Sequence, residues 1–172
     1  MTEPDAPILP DVLEPDLRLV FCGTAPSRRS AAEGAYYAHP GNHFWRALFE
    51  AGFTPRRFAA AEFRQLPTLG IGLTDLAKRH SGNDSELPGD AFDVEALKTK
   101  IAHFAPQRLA FTSKNAARAA LGRRITAYGQ QAEQFAGAEV FVLPSPSGQA
   151  RGYWDLEPWK DLARRLPANS IP

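Results

Sequence analysis

Short apolar runs alternate with amphipathic segments along the chain, and this alternation predicts an α/β fold. The four runs with the composition of strands are residues 17–22, 70–74, 108–112 and 139–143. Runs of this length are typical of strands buried on both faces of a parallel sheet. Because helical periodicity separates them, we expect a three-layer α/β/α sandwich with a central, mainly parallel sheet of about four strands.

The amphipathic segments have recognisable helix ends. Residues 44–51 place apolar side chains at i, i+3, i+4 and i+7, between the candidate cap Asn42 and the terminator Gly52. The other predicted helices lie near residues 58–66, 94–104, 113–121 and 156–166. Residues 79–91 are polar, and we expect a mobile loop there.

Length, composition and charge indicate a single globular domain without a strongly basic surface. The chain has 172 residues, of which 44% are hydrophobic, enough for one core. We expect an extended, proline-rich lead-in over residues 1–16 and a single domain over residues 17–167. Because the net charge is only +1, any contact with nucleic acid would depend on a local patch.

Cellular location is also constrained by the sequence. One cysteine, Cys22, excludes an intrachain disulfide, and no apolar run reaches membrane-spanning length. The N-terminus is acidic and proline-rich, unlike a signal peptide. We therefore expect a soluble cytoplasmic protein without a membrane partner.

Two predicted strands run into loops of small residues that contain proline. GTAPS at residues 23–27 follows the first strand, and PSPSG at residues 144–148 follows the last. In open α/β sheets, ligands bind at the carboxyl ends of the strands. The two loops are therefore expected to converge on one pocket.

Four motifs together resemble the mismatch-specific uracil-DNA glycosylases, which with the thymine-DNA glycosylases form a branch of the uracil-DNA glycosylase superfamily. They are VFCGTAPS at residues 20–27, YAHPGNHFW at 37–45, GLTDL at 72–76 and LPSPSG at 143–148. The second motif is the most specific. The resemblance implies a monomeric enzyme, without metal or cofactor, that cuts the N-glycosidic bond of a base flipped out of DNA.

The first motif departs from the family's pattern at the residue that holds the attacking water. Most relatives have asparagine there, in GINPG, whereas Ala25 has no polar side-chain atom. Another branch also lacks a polar residue here, and an aspartate elsewhere is proposed to substitute. Asp75 is the candidate in this chain, because a carboxylate could hold the water and offset charge on the sugar. The alternative is that Asp75 caps a short helix; weaker candidates are Asp16, Asp84 and Asp93.

The resemblance also assigns a base-binding pocket. Tyr37 matches the aromatic residue that stacks on the flipped base, with Tyr36 in the core, unless the two exchange roles. Ser145 matches the asparagine or histidine that contacts the base carbonyl and assists the leaving group. His39 is a further substrate-binding candidate, although a hydrogen-bonding role in the turn fits it better. The remaining candidates for contact with the substrate are Gly23, Thr24, Ala25, Pro26 and Ser30.

A short loop after the last strand matches the loop that enters the DNA duplex. Gln149 at its tip could fill the vacated position, and Arg151 could contact a phosphate or the opposite base. The alternative is an ordinary surface turn. The other DNA-binding candidates, near strand ends and a helix start, are Arg28, Lys114, Ser147 and Gly148.

The motifs predict a monofunctional DNA glycosylase that removes uracil and leaves open whether it also removes other deaminated or mispaired bases. Monofunctional chemistry is expected because no lysine is evidently placed in the motifs as a Schiff-base nucleophile, although Lys114 needs a test. With Ala25 and Ser145 in place of two asparagines, a non-catalytic module that binds DNA lesions is the main alternative. A nucleoside or nucleotide hydrolase is more distant, because it would not need a duplex-entering loop.

Overall fold

The computed structural model describes residues 7–148, 152 and 154–166. Within this part of the chain, five strands form one sheet in the order β2-β1-β3-β5-β4. They are β1 (Leu19–Gly23), β2 (Ile71–Asp75), β3 (Arg108–Phe111), β4 (Gly129–Phe135) and β5 (Ala138–Val142). Strands β2, β1, β3 and β5 run parallel, and β4 is antiparallel to β5. The predicted α/β class and the mainly parallel sheet are confirmed.

Strand β4 is a strand that the sequence pattern did not predict. Its sequence, GQQAEQF, carries few apolar side chains, and only Phe135 is buried. It is the sheet's edge and pairs with β5 through a tight turn in which Ala136 and Gly137 both have positive φ. An edge strand can face water along most of its length, so the hydrophobic pattern used for the other strands is absent.

Helices lie on both faces of the sheet. They are α1 (Arg28–Glu33), α2 (Phe44–Ala51), α3 (Val94–Phe104), α4 (Lys114–Leu121) and α5 (Glu157–Arg165). Residues Ala60–Leu69 and Asp84–Glu86 form 3-10 helices. None of the helices described here combines the length and the apolar composition that a membrane span needs.

Alternate side chains of β1 divide the buried residues into two clusters. Phe21 belongs to the cluster that contains Phe44 and Trp159, and Val20 to the one that contains Leu109 and Val140. This is the pattern of a strand buried on both faces, with helices packed above and below the sheet.

The segment before β1 packs against the sheet edge formed by β2. Val12 forms an antiparallel bridge with Leu73, and Leu9 is only 1% exposed. The carboxylate of Asp11 accepts a hydrogen bond of 2.6 Å from the Thr74 hydroxyl. These residues therefore cover an edge that would otherwise present unpaired backbone groups.

Candidate active site

A cavity of about 390 Å³ opens at the carboxyl ends of β1, β2 and β3. The loop after β1 contributes Gly23 to Pro26, and the loop after β5 contributes Ser145 to Ser147. The two proline-containing loops, far apart in the sequence, therefore line the same cavity, at the sheet edge where open α/β sheets bind ligands.

Asp75 is the last residue of β2 and lines the cavity with 5% of its surface exposed. Its Oδ1 atom lies 2.8 Å from the position that a Cβ on Gly23 would occupy, so the carboxyl group faces the loop after β1. No helix follows within residues 76–80, so Asp75 does not cap one. Burial raises the pKa of Asp75 to about 6. The carboxyl is therefore mostly ionised at neutral pH and still able to accept a proton.

A charged cluster behind β2 influences this carboxyl group. Asp11 pairs with Lys78 at 2.8 Å and with Lys100 at 2.6 Å. The two ammonium groups act to lower the pKa of Asp75, and the Asp11 carboxylate acts to raise it, but burial outweighs them. Because these residues come from distant parts of the chain, no sequence motif identifies the cluster.

The adjacent tyrosines have different environments. Tyr37 lines the cavity, its ring is stacked on Phe44 with centroids 3.9 Å apart, and its hydroxyl lies 3.2 Å from the Thr112 Oγ1. Tyr36 is 1% exposed and donates a hydrogen bond of 2.8 Å to the Pro10 carbonyl. Both tyrosines line the cavity, but Tyr36 belongs to the buried core, whereas Tyr37 is partly exposed and is the better placed of the two to contact a ligand.

The loop after β5 is held on both sides. The Pro146 carbonyl accepts a hydrogen bond from the His43 backbone, and the Pro144 carbonyl accepts one from the Trp159 indole. The Ser145 Oγ accepts a hydrogen bond of 3.3 Å from a backbone N–H two residues later. Ser145 is therefore presented to the cavity on a fixed backbone.

Of the other candidates for substrate contact, Ser30 lines the cavity and His39 does not belong to its described lining. Ser30 lines the cavity, is 1% exposed and accepts a hydrogen bond from the Ala38 backbone. His39 is exposed, and its Nδ1 accepts a hydrogen bond of 2.9 Å from the Gly41 backbone. Since the described lining of the cavity does not include His39, the structure gives it a role in the turn.

Two of the DNA-binding candidates, Arg28 and Lys114, each directly follow a residue that lines the cavity. Arg28 and Lys114 are exposed at the starts of α1 and α4. Arg28 forms an ion pair with Glu86. A Cβ on Gly148 would lie 3.0 Å from the Gly41 carbonyl oxygen, which favours glycine there. Ser147 lines the cavity, whereas Gln149 and Arg151 are outside the described residues.

The polar loop expected over residues 79–91 contributes directly to the cavity, through residues 82–85. The Asp84 carboxylate accepts hydrogen bonds of 2.7 Å from the Thr24 hydroxyl and 2.6 Å from the Asn115 amide. The Gly82 backbone donates to the Pro26 carbonyl. These contacts join residues 82–85 to the loop after β1 and to the start of α4, and local polarity alone gave no sign of them.

Several lining residues were missed or given another role. Thr112 and Ser113 lie at the end of β3, and Asn42, predicted only as a helix cap, also lines the cavity. Its Oδ1 accepts a hydrogen bond of 2.9 Å from the Phe44 backbone, so it stabilises the helix start as well. The rule applied to the first and last strands, that ligands bind at carboxyl ends, would have identified Thr112 and Ser113 as well.

Comparisons with known proteins agree with this architecture. Residues 10–163 match the family model of the uracil DNA glycosylase superfamily. The fold is similar to a solution NMR structure of a candidate uracil DNA glycosylase from Methanosarcina acetivorans. That similarity has a TM-score of 0.64 and 27% sequence identity, and covers 92% of this chain and 96% of the other. Because the family match spans most of the chain, including Asp75 and both proline-containing loops, the chain belongs to the uracil DNA glycosylase superfamily.

Proposed function

We propose that the protein is a monofunctional DNA glycosylase that hydrolyses the N-glycosidic bond of uracil in DNA and so initiates base-excision repair. Within the superfamily we assign it to the mismatch-specific and thymine-DNA glycosylase branch, on the motifs described above. The observation that carries the proposal is the buried carboxyl group of Asp75 beside Gly23, in the cavity where Ala25 supplies no polar side chain.

The reaction needs one water molecule and no other reactant. The water oxygen forms a bond to C1′ of the sugar while the bond from C1′ to the base nitrogen breaks, and the electron pair leaves with the base. Asp75 accepts the water's hydrogen and offsets the positive charge that develops on the sugar. The departing base takes up a proton from solvent, and Asp75 releases its proton to solvent, so the products are the free base and an abasic site.

Ser145 is suited to stabilising the departing base. Its Oγ already accepts a hydrogen bond from the Ser147 backbone N–H, so its own hydrogen can be donated to a base carbonyl. The serine side chain is uncharged and short, so the backbone amides of the same loop also donate hydrogen bonds to the departing base. Stacking on the Tyr37 ring contributes about 1–3 kcal/mol to holding the flipped base.

The DNA backbone is bound around the mouth of the cavity. Arg28 and Lys114 are exposed beside it and carry the positive charge that phosphates require. On the sequence motif alone, we also assign Arg151 to a phosphate or the opposite base and Gln149 to the vacated position in the duplex. Among the described residues that line the cavity there is no lysine, which favours attack by water over a Schiff base.

An oligonucleotide assay tests the proposal. Labelled strands carrying G·U, A·U, single-stranded U, G·T or hypoxanthine are incubated with the protein and then treated with alkali to reveal abasic sites. We expect strand breaks at uracil only after alkali, and a rate about 10²–10⁴-fold lower in Asp75→Asn. Binding without breaks would indicate a lesion-binding module, and hydrolysis of free nucleosides alone would indicate a nucleoside hydrolase.

A further inference from the structure

Three side-chain oxygen atoms converge above Gly23, and we call them the oxygen cluster. A methyl group on the Gly23 Cα would lie 2.8 Å from Asp75 Oδ1, 3.1 Å from the Tyr37 hydroxyl and 3.4 Å from Thr112 Oγ1. All four residues line the cavity. The proposed function uses only the Asp75 oxygen, and it uses the ring of Tyr37 rather than its hydroxyl.

The partner of Thr112 favours one direction for its hydrogen bond with Tyr37. The Thr112 hydroxyl donates to the Cys22 carbonyl at 3.4 Å, so its oxygen is available to accept the phenolic hydrogen of Tyr37 at 3.2 Å. Burial raises the pKa of Tyr37 well above its ordinary value, so the phenol keeps that hydrogen. The Tyr37 oxygen then presents lone pairs, like the Asp75 carboxylate, and both are hydrogen-bond acceptors.

The backbone holds Tyr37 in an uncommon conformation. Its φ of 52° lies in the left-handed region, which is rare for a bulky side chain and costs on the order of 1 kcal/mol or more. The ring is fixed by stacking on Phe44 and the hydroxyl by Thr112. A phenylalanine would satisfy the stacking equally well, so the stacking does not explain the hydroxyl or its partner.

We propose that the Tyr37 hydroxyl is a second acceptor, beside Asp75, for the attacking water, and that Thr112 is the positioning residue that aims it. The inference rests on the proposed hydrolysis of an N-glycosidic bond. A water has two hydrogens, and two acceptors fix both, so that one of its lone pairs points at C1′. Holding the water in a reactive orientation accelerates the step without adding affinity for DNA.

Four variants test this assignment by single-turnover cleavage of a G·U duplex and by DNA affinity. Tyr37→Phe keeps the ring, and we expect about a tenfold lower rate constant with affinity within about twofold of wild type. Thr112→Val should lower the rate several-fold, whereas Thr112→Ser, which keeps the hydroxyl, should stay close to wild type. The double variant Tyr37→Phe/Thr112→Val should be no slower than Tyr37→Phe alone, because the two groups act as a unit.

Thr54→Val is the matched control for Thr112→Val. Thr54 is also a buried threonine, 5% exposed, whose hydroxyl donates to a backbone carbonyl, but it lies outside the described cavity lining. We expect it to keep the wild-type rate, and thermal melting of every variant separates misfolding from slow chemistry.

The outcomes distinguish this inference from the proposed function. A wild-type protein that releases no base overturns both. An active wild type overturns the inference alone if Tyr37→Phe is equally fast, if its loss lies entirely in affinity, or if Thr112→Ser is as slow as Thr112→Val.

Discussion

Asp75, the proposed catalytic residue, lies in an unfavourable environment for its charge. Folding removes its carboxyl from water, and the Lys78 ammonium compensates only in part, so its pKa rises from 3.8 to about 6. Because the folded protein binds this proton more tightly than the unfolded chain, the contribution of Asp75 to stability falls as the pH rises through that interval. Above about pH 6 the full cost is present.

Replacing Asp75 by asparagine is expected to lower the cleavage rate and to raise the free energy of unfolding. Burying the charge lowers the stability of the folded protein by about 3 kcal/mol at neutral pH. The neutral asparagine side chain carries no such charge. We expect Asp75→Asn to unfold at higher denaturant concentration than wild type at neutral pH, with little difference below pH 3.8. The measurement is urea unfolding at both pH values; a variant less stable than wild type at neutral pH would contradict the assigned cause of the pKa shift.

The pH dependence of the cleavage rate should follow the titration of Asp75. In the proposed mechanism the ionised carboxylate accepts a proton from the water, so the rate constant is expected to fall as the pH drops through about 6. The Asp75→Asn variant should lack this acid limb in its residual activity. Single-turnover rates over a pH series measure it, and an unchanged limb in the variant would assign the titration to another group.

Gly23 is required by close approach rather than by its backbone angles. An added Cβ would contact Asp75 Oδ1 at 2.8 Å, closer than such atoms normally come. We therefore expect Gly23→Ala to displace the oxygen cluster, lowering the cleavage rate at least about a hundredfold, with a stability loss of about 1–3 kcal/mol. Gly89→Ala is the control, because nothing lies within 4 Å of its added Cβ. Wild-type activity in Gly23→Ala would show that Asp75 can move without consequence.

At the scale of elements, turns between strands and helices position the chemistry. The Trp45 indole donates to the Tyr36 carbonyl at 3.0 Å, and Asn42 accepts a hydrogen bond from the Phe44 backbone, so the HPGNHFW motif shapes the turn that presents Tyr37. On the other side, the loop with Asp84 and Glu86 contacts both Thr24 and Arg28. This acidic loop therefore pairs with Arg28, which we propose as a phosphate-binding residue.

Removing one charge from that loop should strengthen DNA binding. In Glu86→Gln, Arg28 loses its ion-pair partner and becomes available to phosphate. We expect an affinity gain of up to about threefold at low salt that disappears at high salt, because exposed pairs are weak and screened. Glu95→Gln on α3, which breaks a pair with Lys98, should leave affinity unchanged. Fluorescence anisotropy with a labelled duplex measures both; equal effects of the two variants would mean that only net charge matters.

Across the whole molecule, residues before β1 are part of the packed structure. Leu9 joins the buried cluster of Phe21 and Trp159, and Asp11 ties the segment to Lys78 and Lys100. The edge of the sheet beside β2, which carries Asp75, is thereby covered. The predicted domain start at residue 17 remains a prediction, but the segment before it contributes to the core.

Leu9→Ala should therefore destabilise the protein by about 2–4 kcal/mol, the usual cost of truncating a buried leucine. Exposed Glu14 lies in the same segment, and Glu14→Ala is expected to change the free energy of unfolding by less than about 0.5 kcal/mol. Urea unfolding compares the two variants. Equal stabilities would mean that this segment can detach without loss.

The sequence by itself determined the elements whose physics is local. Apolar runs gave four strands, because a strand buried on both faces needs apolar side chains throughout, and capping residues such as Ser113 marked helix starts. The motifs also placed Asp75, Tyr37 and Ser145 on loops and strand ends that line one cavity. Strand β4 was not predicted, because an exposed edge strand has no pattern of apolar residues to detect.

Only the tertiary structure decided which distant polar groups meet. Asp11 reaches Lys100, Thr24 reaches Asp84, and Tyr37 reaches Thr112, each across a wide interval of sequence in which neither partner's neighbours specify the other. The pKa of Asp75 depends in the same way on burial by the whole fold. Residue types and local periodicity determine elements, whereas hydrogen-bond partners and electrostatics depend on distances that exist only once the sheet has formed.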